Sequence, residues 1–325
     1  MKKSFTFIDL FAGVGGFHLA LSLSACEKNI LAKCVFASEI DINIQKTYSL
    51  NFPNTPMFGD ITKYNNQKYI PNNFDILCAG FPCQAFSIAG YQKGFKDSRG
   101  ILFFEIEKIT QKYRPKVLFL ENVKNLKNHD NGKTFDIIKN ILYDLDYCVY
   151  YDILNSATHA NIPQNRERIF IIAFDKKTIK NHHKFVFPSK IKLDKSIHNC
   201  IDYKKQDENF YYANNSKYYD YLTKEVIQKD TIYQLRRVYV RENKAKLCPT
   251  LTANMGTGGH NVPIIKDDFG IRKLTPRECF NFQGYPTSFK LPNLKNSKLY
   301  IQAGNSITLP LVKRVADNIL EILYE

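Results

Sequence analysis

The chain has 325 residues, of which 44% are hydrophobic, so it can form one large core and a smaller second one and is not disordered. Lysine and arginine number 46 against 31 aspartates and glutamates. The resulting net charge of +15 indicates a polyanionic partner or, alternatively, charge that serves only solubility. No run of about eighteen apolar residues occurs and Asp9 interrupts the apolar run near the start, so neither a membrane span nor a signal peptide is expected.

The eight cysteines show neither CxxC pairs nor the spacing of cysteine and histidine that a zinc site requires. Several of them lie inside apolar runs, where cysteine behaves as a small hydrophobic residue. We therefore expect no bound metal and a reducing, cytoplasmic environment.

Short runs rich in β-branched and aromatic residues alternate with helical patterns over about the first 174 residues, which predicts βαβ units and a parallel sheet. The predicted strands cover residues 5–10, 34–38, 74–79, 116–120, 148–154 and 169–174. Two predicted helices each have an apolar face. The residues on these faces are Phe17, Ala20, Leu21 and Ser24 in one helix, and Leu102, Phe103, Ile106 and Ile109 in the other.

The composition of the sequence changes at about Lys190: tyrosine, asparagine and lysine become frequent, and a glycine loop follows at residues 256–259. We place a domain boundary there, with a larger domain at 1–189 and a smaller one at 190–299. Residues 300–325 are expected to complete the larger domain, because 307–323 has the pattern of an amphipathic helix.

A glycine-rich turn follows the first predicted strand, in the sequence FIDLFAGVGG at residues 7–16. Glycines allow close approach of a ligand to the backbone, and the helix that follows favours negative charge at its start, although a purely structural turn is the alternative. Glu39 follows the second strand, where an acidic residue can bind ribose hydroxyls, and Asp60 is expected near an adenine amino group. The glycine spacing is neither that of a dinucleotide fingerprint nor that of a phosphate loop, which disfavours NAD and ATP and favours another nucleoside cofactor.

Two further motifs directly follow apolar runs: GFPCQ at residues 80–84 and ENV at 121–123. A thiol, Cys83, and a carboxylate, Glu121, are thus expected at the carboxyl ends of two strands, where open α/β sheets form their ligand crevice. A nucleophilic cysteine and a carboxylate that manages a proton indicate an enzyme. A buried structural cysteine and a helix-capping or solvated glutamate are the alternatives.

In their order along the chain these motifs resemble those of the DNA (cytosine-5)-methyltransferases, and the resemblance covers nearly the whole sequence. It rests on residues 7–16, 80–84, 121–123, 164–168 (QNRER) and 304–306 (GNS), with 272–286 similar to a further block of the family. Without regulatory extensions, the chain resembles the bacterial methyltransferases of the restriction-modification type. The resemblance implies a Rossmann-like, mostly parallel sheet with helices on both faces, a small β-rich target-recognition domain, S-adenosylmethionine as cofactor, and a monomer acting on double-stranded DNA.

The resemblance also implies a mechanism. Cytosine C5 is a poor nucleophile, and addition of the Cys83 thiolate to C6 makes C5 able to attack. Pro82 fixes the backbone beside that thiol. Glu121 is expected to hold a proton for N3 if burial raises its pKa, and Arg166 and Arg168, alternating on one extended segment, to lie in the active site. No side chain stands out as the base that removes the C5 proton, and water can serve.

The target base must leave the duplex stack before a thiol can reach C6, and we expect the glycine-containing segment 84–100 to close over it. An ordinary surface loop is the alternative for that segment. The residues expected to bind the cofactor are Phe11, Ala12, Gly13, Gly15, Gly16, Glu39, Ile40, Asp60, Ile61, Pro82, Leu102, Asn305 and Ser306. Those expected to contact DNA are Gln84, Ser87, Arg236, Arg237, Arg241 and Thr250, with solvated surface arginines as the alternative.

Two other functions are compatible with parts of this pattern. A tRNA cytosine-C5 methyltransferase has the same fold, but Phe81 stands where that subgroup usually has a proline. A catalytically silent protein that binds the cofactor and recognises DNA is the other, and the presence of Cys83, Glu121 and Arg168 argues against it.

Overall fold

A computed structural model describes residues 3–82, 101–236, 239–258 and 261–325 of the chain. The chain divides into two compact units. Unit 1 comprises Met1–Leu154, Glu167–Ser189 and Val312–Glu325, and unit 2 comprises Asn155–Arg166 and Lys190–Leu311. The expected change near Lys190 coincides with a boundary of unit 2. In contrast to the expected boundaries, the chain returns to unit 1 at Val312 rather than at residue 300, and the short stretch Asn155–Arg166 belongs to unit 2.

The strands of the described part fall into two sheets. In chain order they are β1 (Ser4–Leu10), β2 (Leu31–Ser38), β3 (Met57–Phe58), β4 (Ile76–Gly80), β5 (Val117–Val123), β6 (Tyr147–Asn155), β7 (Glu167–Asp175), β8 (Tyr233–Leu235), β9 (Val240–Glu242), β10 (Ile264–Lys266) and β11 (Ile271–Lys273). Each of the six strands predicted from the sequence overlaps one of the first seven, so those predictions are confirmed.

The helices of the described part are, in chain order, α1 (Gly16–Glu27), α2 (Ile42–Asn51), α3 (Tyr64–Gln67), α4 (Ile101–Tyr113), α5 (Lys133–Asp144), α6 (Ser156–Ala160), α7 (Tyr219–Glu225), α8 (Met255–Gly258), α9 (Pro276–Phe282), α10 (Asn296–Asn305) and α11 (Leu309–Tyr324). Short 3-10 segments cover Lys124–Gly132, His182–Lys184, Ile197–Asn199 and Glu208–Phe210. Within the described residues, no helix has both the length and the apolar character needed to cross a bilayer.

The sheet of unit 1 has the strand order β3-β2-β1-β4-β5-β7-β6. Neighbouring strands from β3 to β5 pair in parallel, and β5 pairs antiparallel with β7. The order of the strands reverses between β1 and β4, and the carboxyl ends of strands at such a point form the usual ligand crevice of an open α/β sheet.

Helices cover both faces of this sheet. Ile8 and Leu10 of β1 lie in a core cluster with residues of α4 and α5, such as Ile106 and Ile138. On the opposite face, the Phe7 ring lies 5.3 Å from that of His18 in α1. The terminal helix α11 returns to the same unit, where Ser24 of α1 donates a 2.6 Å hydrogen bond to Asp317. The predicted fold class and terminal helix are confirmed.

Unit 2 contains an antiparallel sheet of order β11-β10-β8-β9 whose core includes Leu222, Tyr233 and Ile264. A fully buried arginine, Arg272, ties its parts together. The Nε atom of Arg272 lies 2.6 Å from Asp267, and its two terminal nitrogens each lie 2.8 Å from Glu278.

Glu278 connects this buried ion pair to the start of α9. Its carboxylate accepts a hydrogen bond from the backbone N–H of Thr275, and the Thr275 side chain accepts one from the N–H of Glu278 in a capping box. The block at 272–286 therefore builds the framework of unit 2.

Candidate active site

The glycine-rich turn after β1 is held against the end of β2. The Ala12 N–H donates to the Ser38 carbonyl at 2.9 Å, and the Gly13 N–H donates to the Glu39 carboxylate at 3.0 Å. The second oxygen of Glu39 accepts from the Asp41 N–H at 2.9 Å. Burial raises the pKa of Glu39 above 4.5, although these two N–H groups oppose the shift. Glu39 is thereby fixed at the carboxyl edge of the sheet, where the sequence placed it.

Three residues of the turn have backbone conformations that favour glycine. Gly13 and Gly15 have φ values of 54° and 89°. Phe11, at the start of the turn, has a φ of 53°, which is unusual for a residue with a side chain. A Cβ atom on Gly15 would lie 2.3 Å from the Phe52 ring, whereas a Cβ on Gly13 would meet no atom within 4 Å. Gly15 is therefore required by packing, and the space beside Gly13 is open to a ligand.

A second acidic loop, residues 59–62, follows β3. Its Asp60 carboxylate accepts hydrogen bonds from the backbone N–H and the hydroxyl of Thr62, at 2.9 and 2.8 Å. Two side-chain amides hold the loop from α3: Asn66 donates to the Asp60 carbonyl at 2.7 Å and Gln67 to the Ile61 carbonyl at 2.8 Å. The orientation of the Asp60 carboxyl group is thus determined by the fold.

Three apolar side chains expected in the cofactor site are wholly or partly exposed. Ile40 is 73% exposed although it directly follows Glu39, and Phe11 and Leu102 are only partly buried. Exposed apolar surface beside carboxylate acceptors suits a nucleoside, which has flat apolar faces and donates from its ribose hydroxyls and its adenine amino group. The donor and acceptor chemistry of this edge therefore fits an adenosine-containing cofactor.

Glu121 and Arg168 form an ion pair at the carboxyl end of β5. Glu121 lies opposite Gly80 of β4, and the Nε of Arg168 in β7 lies 3.1 Å from its carboxylate. The two side chains are 11% and 15% exposed, so little solvent screens the contact. Burial lowers the pKa of Arg168, and the Glu121 carboxylate opposes this shift.

The backbone that leads to Cys83 is fixed by Asn122. The buried side chain of Asn122 donates a 2.8 Å hydrogen bond to the Phe81 carbonyl, and Pro82 follows with an exposed side chain. Cys83, Gln84, Ser87 and the segment 84–100 lie outside the described residues, so the roles predicted for them stay predictions.

The hydrogen bonds of Arg166 differ from the ion pair that Arg168 makes with Glu121. Arg166 is buried, and its terminal nitrogens donate to the backbone carbonyls of Leu251 at 2.7 Å, Gly304 at 3.1 Å and Ser306 at 2.7 Å. All three acceptors belong to unit 2. These hydrogen bonds hold Arg166 within unit 2, and the active-site role expected for it stays a prediction.

The loop at residues 249–252 is held by the QNRER motif. The Leu251 N–H donates to the Gln164 side chain at 3.1 Å, and the Thr250 hydroxyl donates to the Asn165 carbonyl at 2.6 Å. Gly304 packs so closely that a Cβ there would lie 2.1 Å from the carbonyl carbon of Thr252. Ser306 is buried and Asn305 is exposed.

A polar cavity of about 370 Å³ in unit 2 brings together three of the residues expected to contact DNA: Arg236, Arg241 and Thr250. Its lining also includes amide side chains that the sequence analysis missed: Asn165, Gln234, Asn243 and Asn261. Gln234 lies opposite Arg241 on the β8–β9 pair and accepts a 3.0 Å hydrogen bond from Arg236. The two-residue period of a strand could have indicated Gln234 beside Arg236. Arg237 lies outside the described residues.

An open α/β sheet with carboxylate acceptors at its carboxyl edge and a buried carboxylate–guanidinium pair at the end of β5 has the architecture of the Rossmann-like class. Solved structures agree on the fold. The Schizosaccharomyces pombe Dnmt2 methyltransferase matches with a TM-score of 0.74 and 21% identity, over 99% of this chain and 100% of that one. The Entamoeba histolytica methyltransferase EhMeth matches with a TM-score of 0.73 and 20% identity, over the whole of both chains.

The model of the C-5 cytosine-specific DNA methylase family matches residues 5–321, and the chain belongs to this family. It is 49% identical to the Type II methyltransferase M.Bsp6I of Bacillus sp. (strain RFL6), over 96% of this chain and 97% of that protein. It is 40% identical to the Type II methyltransferase M.HhaI of Haemophilus parahaemolyticus, over 96% and 93%. The predicted family and enzyme class are confirmed: the chain is a DNA (cytosine-5)-methyltransferase, and the activity of its family depends on S-adenosylmethionine.

Proposed function

We propose that this enzyme methylates cytosine within a specific sequence of double-stranded DNA through a covalent bond between Cys83 and the base. The observation that carries the proposal is the buried Glu121–Arg168 pair. It lies opposite Gly80, at the strand end from which the chain leads directly to Cys83. A carboxyl group at this place can donate a proton to a base under attack by a thiolate, and a guanidinium can stabilise the negative charge that develops.

The first step forms a bond between the Cys83 sulfur and C6 of cytosine, and the electrons of the C5–C6 double bond move toward N3. The proton that Glu121 holds passes to N3, and the Arg168 guanidinium stabilises the resulting carboxylate and orients it. C5, now nucleophilic, can accept the methyl group that S-adenosylmethionine supplies on its sulfonium when bound. Loss of the C5 proton to water, with return of the N3 proton to Glu121, then breaks the bond between sulfur and C6, which restores the aromatic ring, the protonated Glu121 carboxyl group and the Cys83 thiolate.

Glu39 and Asp60 are the residues we propose for the ribose and the adenine amino group of the cofactor. The support is the open space beside Gly13, the exposed apolar side chain of Ile40, and two carboxylates whose orientation is set by backbone and hydroxyl donors. For Asn305 and Ser306 we propose the cofactor-binding role that the family resemblance implies.

Unit 2 is the proposed target-recognition domain. Guanidinium groups can read guanine edges and side-chain amides can read adenine edges, and both line the 370 Å³ cavity. Several relatives carry the name of Type II methyltransferases. We therefore propose that the enzyme acts as a monomer in the cytoplasm and protects host DNA in a restriction-modification system.

Incubation with tritiated S-adenosylmethionine tests this function, with duplex DNA and tRNA as parallel substrates. We expect incorporation into duplex DNA, and bisulfite sequencing should locate the modified base. Methylation of tRNA but not of DNA would favour the alternative substrate. A covalent complex with 5-fluorocytosine DNA is expected for the wild type and not for Cys83→Ser, and persistence of the adduct in that variant would exclude Cys83 as the nucleophile.

A further inference from the structure

Gln67 and Glu105 make a buried contact that the proposed mechanism does not use. Glu105 of α4 is 4% exposed, and its carboxylate accepts a 2.6 Å hydrogen bond from the Gln67 side-chain amide. The same Nε2 atom donates to the Ile61 carbonyl at 2.8 Å. Because a primary amide nitrogen carries two protons, both donors of Gln67 are engaged, one toward each partner.

These two hydrogen bonds connect the two elements expected to enclose the adenine. Ile61 and Asp60 belong to the acidic loop at 59–62. Leu102 lies three residues before Glu105 in α4, so the two side chains share one face of that helix. The pair of Gln67 and Glu105 thus joins the face of α4 that carries Leu102 to the loop that carries Asp60.

The burial of Glu105 indicates that this contact does more than fill space. A carboxylate in an apolar interior is costly unless its partners satisfy it, and an apolar residue would pack there without that cost. Its other partner, Lys108, lies 2.8 Å away but is 53% exposed, so solvent screens most of that ion pair. The directional partner of Glu105 is therefore Gln67.

We infer that Gln67 and Glu105 are positioning residues that set the separation between the acidic loop and Leu102, and thereby the affinity for the adenine end of the cofactor. This inference rests on the proposed assignment of Asp60, Ile61 and Leu102 to the adenine. Neither residue of the pair touches the reacting atoms, so their loss should weaken cofactor binding and leave the chemical step intact.

The test compares Gln67→Leu, Glu105→Leu and Glu105→Gln with Lys108→Ala as the matched control. Calorimetry gives the Kd of S-adenosylhomocysteine and of 5′-methylthioadenosine, which has the adenosine but lacks the amino-acid part. We expect both leucine variants to bind both compounds about tenfold more weakly, in line with the loss of the hydrogen bond from Gln67 to the charged Glu105, which both variants remove. Glu105→Gln retains an oxygen that can accept from Gln67 and should stay within about threefold of the wild type, as should Lys108→Ala.

Steady-state kinetics separate positioning from a general structural role. The KM for S-adenosylmethionine should rise in the leucine variants, while kcat and the KM for DNA stay within about twofold of wild type. Unchanged Kd values in the leucine variants would overturn the inference. So would an equal loss in Lys108→Ala, or a loss that spares 5′-methylthioadenosine. Should Glu105→Leu not fold, Gln67→Leu decides alone, because it leaves the Glu105–Lys108 ion pair in place.

Failure of the proposed function gives a different result. A wild-type enzyme that binds S-adenosylhomocysteine but methylates no DNA would contradict the proposed activity and still allow the comparison of Kd values. A methylating wild type whose affinity is insensitive to Gln67 and Glu105 would contradict the positioning pair alone.

Discussion

Replacement of Arg272 by methionine should destabilise unit 2 more than any single change at its surface. Methionine has a similar length but no donor, so Asp267 and Glu278 would lose the guanidinium that contacts them at 2.6 and 2.8 Å. All three side chains are fully buried. Burial alone would lower the pKa of Arg272, but hydrogen bonds and charge from the two carboxylates outweigh it and raise the pKa above its ordinary value.

The magnitude follows from the two carboxylates that remain. Removal of one partner from a buried ion pair typically costs about 3–5 kcal/mol, because an uncompensated charge is left in the interior. Two further acceptors, the carbonyls of Asp202 and Lys273, also lose a donor. For domains of roughly 150–250 residues each kcal/mol shifts Tm by about 2–4 °C, so Arg272→Met should lower Tm by roughly 6–20 °C.

Differential scanning calorimetry and urea unfolding measure this loss, and hydrogen exchange can assign it to the amides of unit 2. The matched control is Lys229→Met, which breaks the exposed ion pair with Asp268 in the same unit and should cost less than about 1 kcal/mol. If Arg272→Met lost no more stability than Lys229→Met, the buried ion pair would not hold the framework of unit 2 together.

Three further predictions concern unit 1. Burial lowers the pKa of His18 from 6.5 to about 4, so the unfolded chain binds more protons between these values and the free energy of unfolding falls by up to about 3 kcal/mol as pH drops through this window. Thermal melts from pH 7 to 4 should show a smaller dependence of Tm on pH for His18→Gln. An equal dependence would contradict the role of His18 in this loss of stability. Because the pKa of Glu39 is raised above 4.5, its ionised carboxylate forms only as pH rises through that higher pKa. The affinity for S-adenosylhomocysteine, measured by calorimetry, should therefore rise with pH in this range. Glu39→Gln should abolish this dependence on pH. Arg168→Lys removes the Nε contact to Glu121 and should lower kcat about 100-fold with little change in the KM for S-adenosylmethionine, and a kcat near the wild-type value would refute a role for this pair in the chemical step.

The larger sheet could be predicted from the sequence because its strands are local patterns. Runs of β-branched and aromatic residues bounded by turns identify strands without knowledge of their partners, and the observed β1, β2 and β4–β7 overlap the predicted ones. The glycine turn and Glu39 were also accessible, since the loop after a strand at the carboxyl edge has a fixed place in this fold.

Side-chain partners could not be predicted in the same way. Arg166 and Arg168 stand two residues apart with the same chemistry, yet one contacts Glu121 and the other contacts backbone carbonyls more than eighty residues away in the chain. The Gln67–Glu105 pair gave no local signal, because an isolated glutamine has the same pattern on a surface and in a buried network.

The sequence by itself therefore determined the class of fold, the family and the class of enzyme, since these depend on residue types in a fixed order along the chain. The tertiary structure alone decided that the Arg168 guanidinium pairs with Glu121, which amides line the polar cavity of unit 2, and how α4 is joined to the acidic loop. Such contacts depend on distances of about 3 Å between residues far apart in the chain, and only the packing of the folded molecule sets those distances.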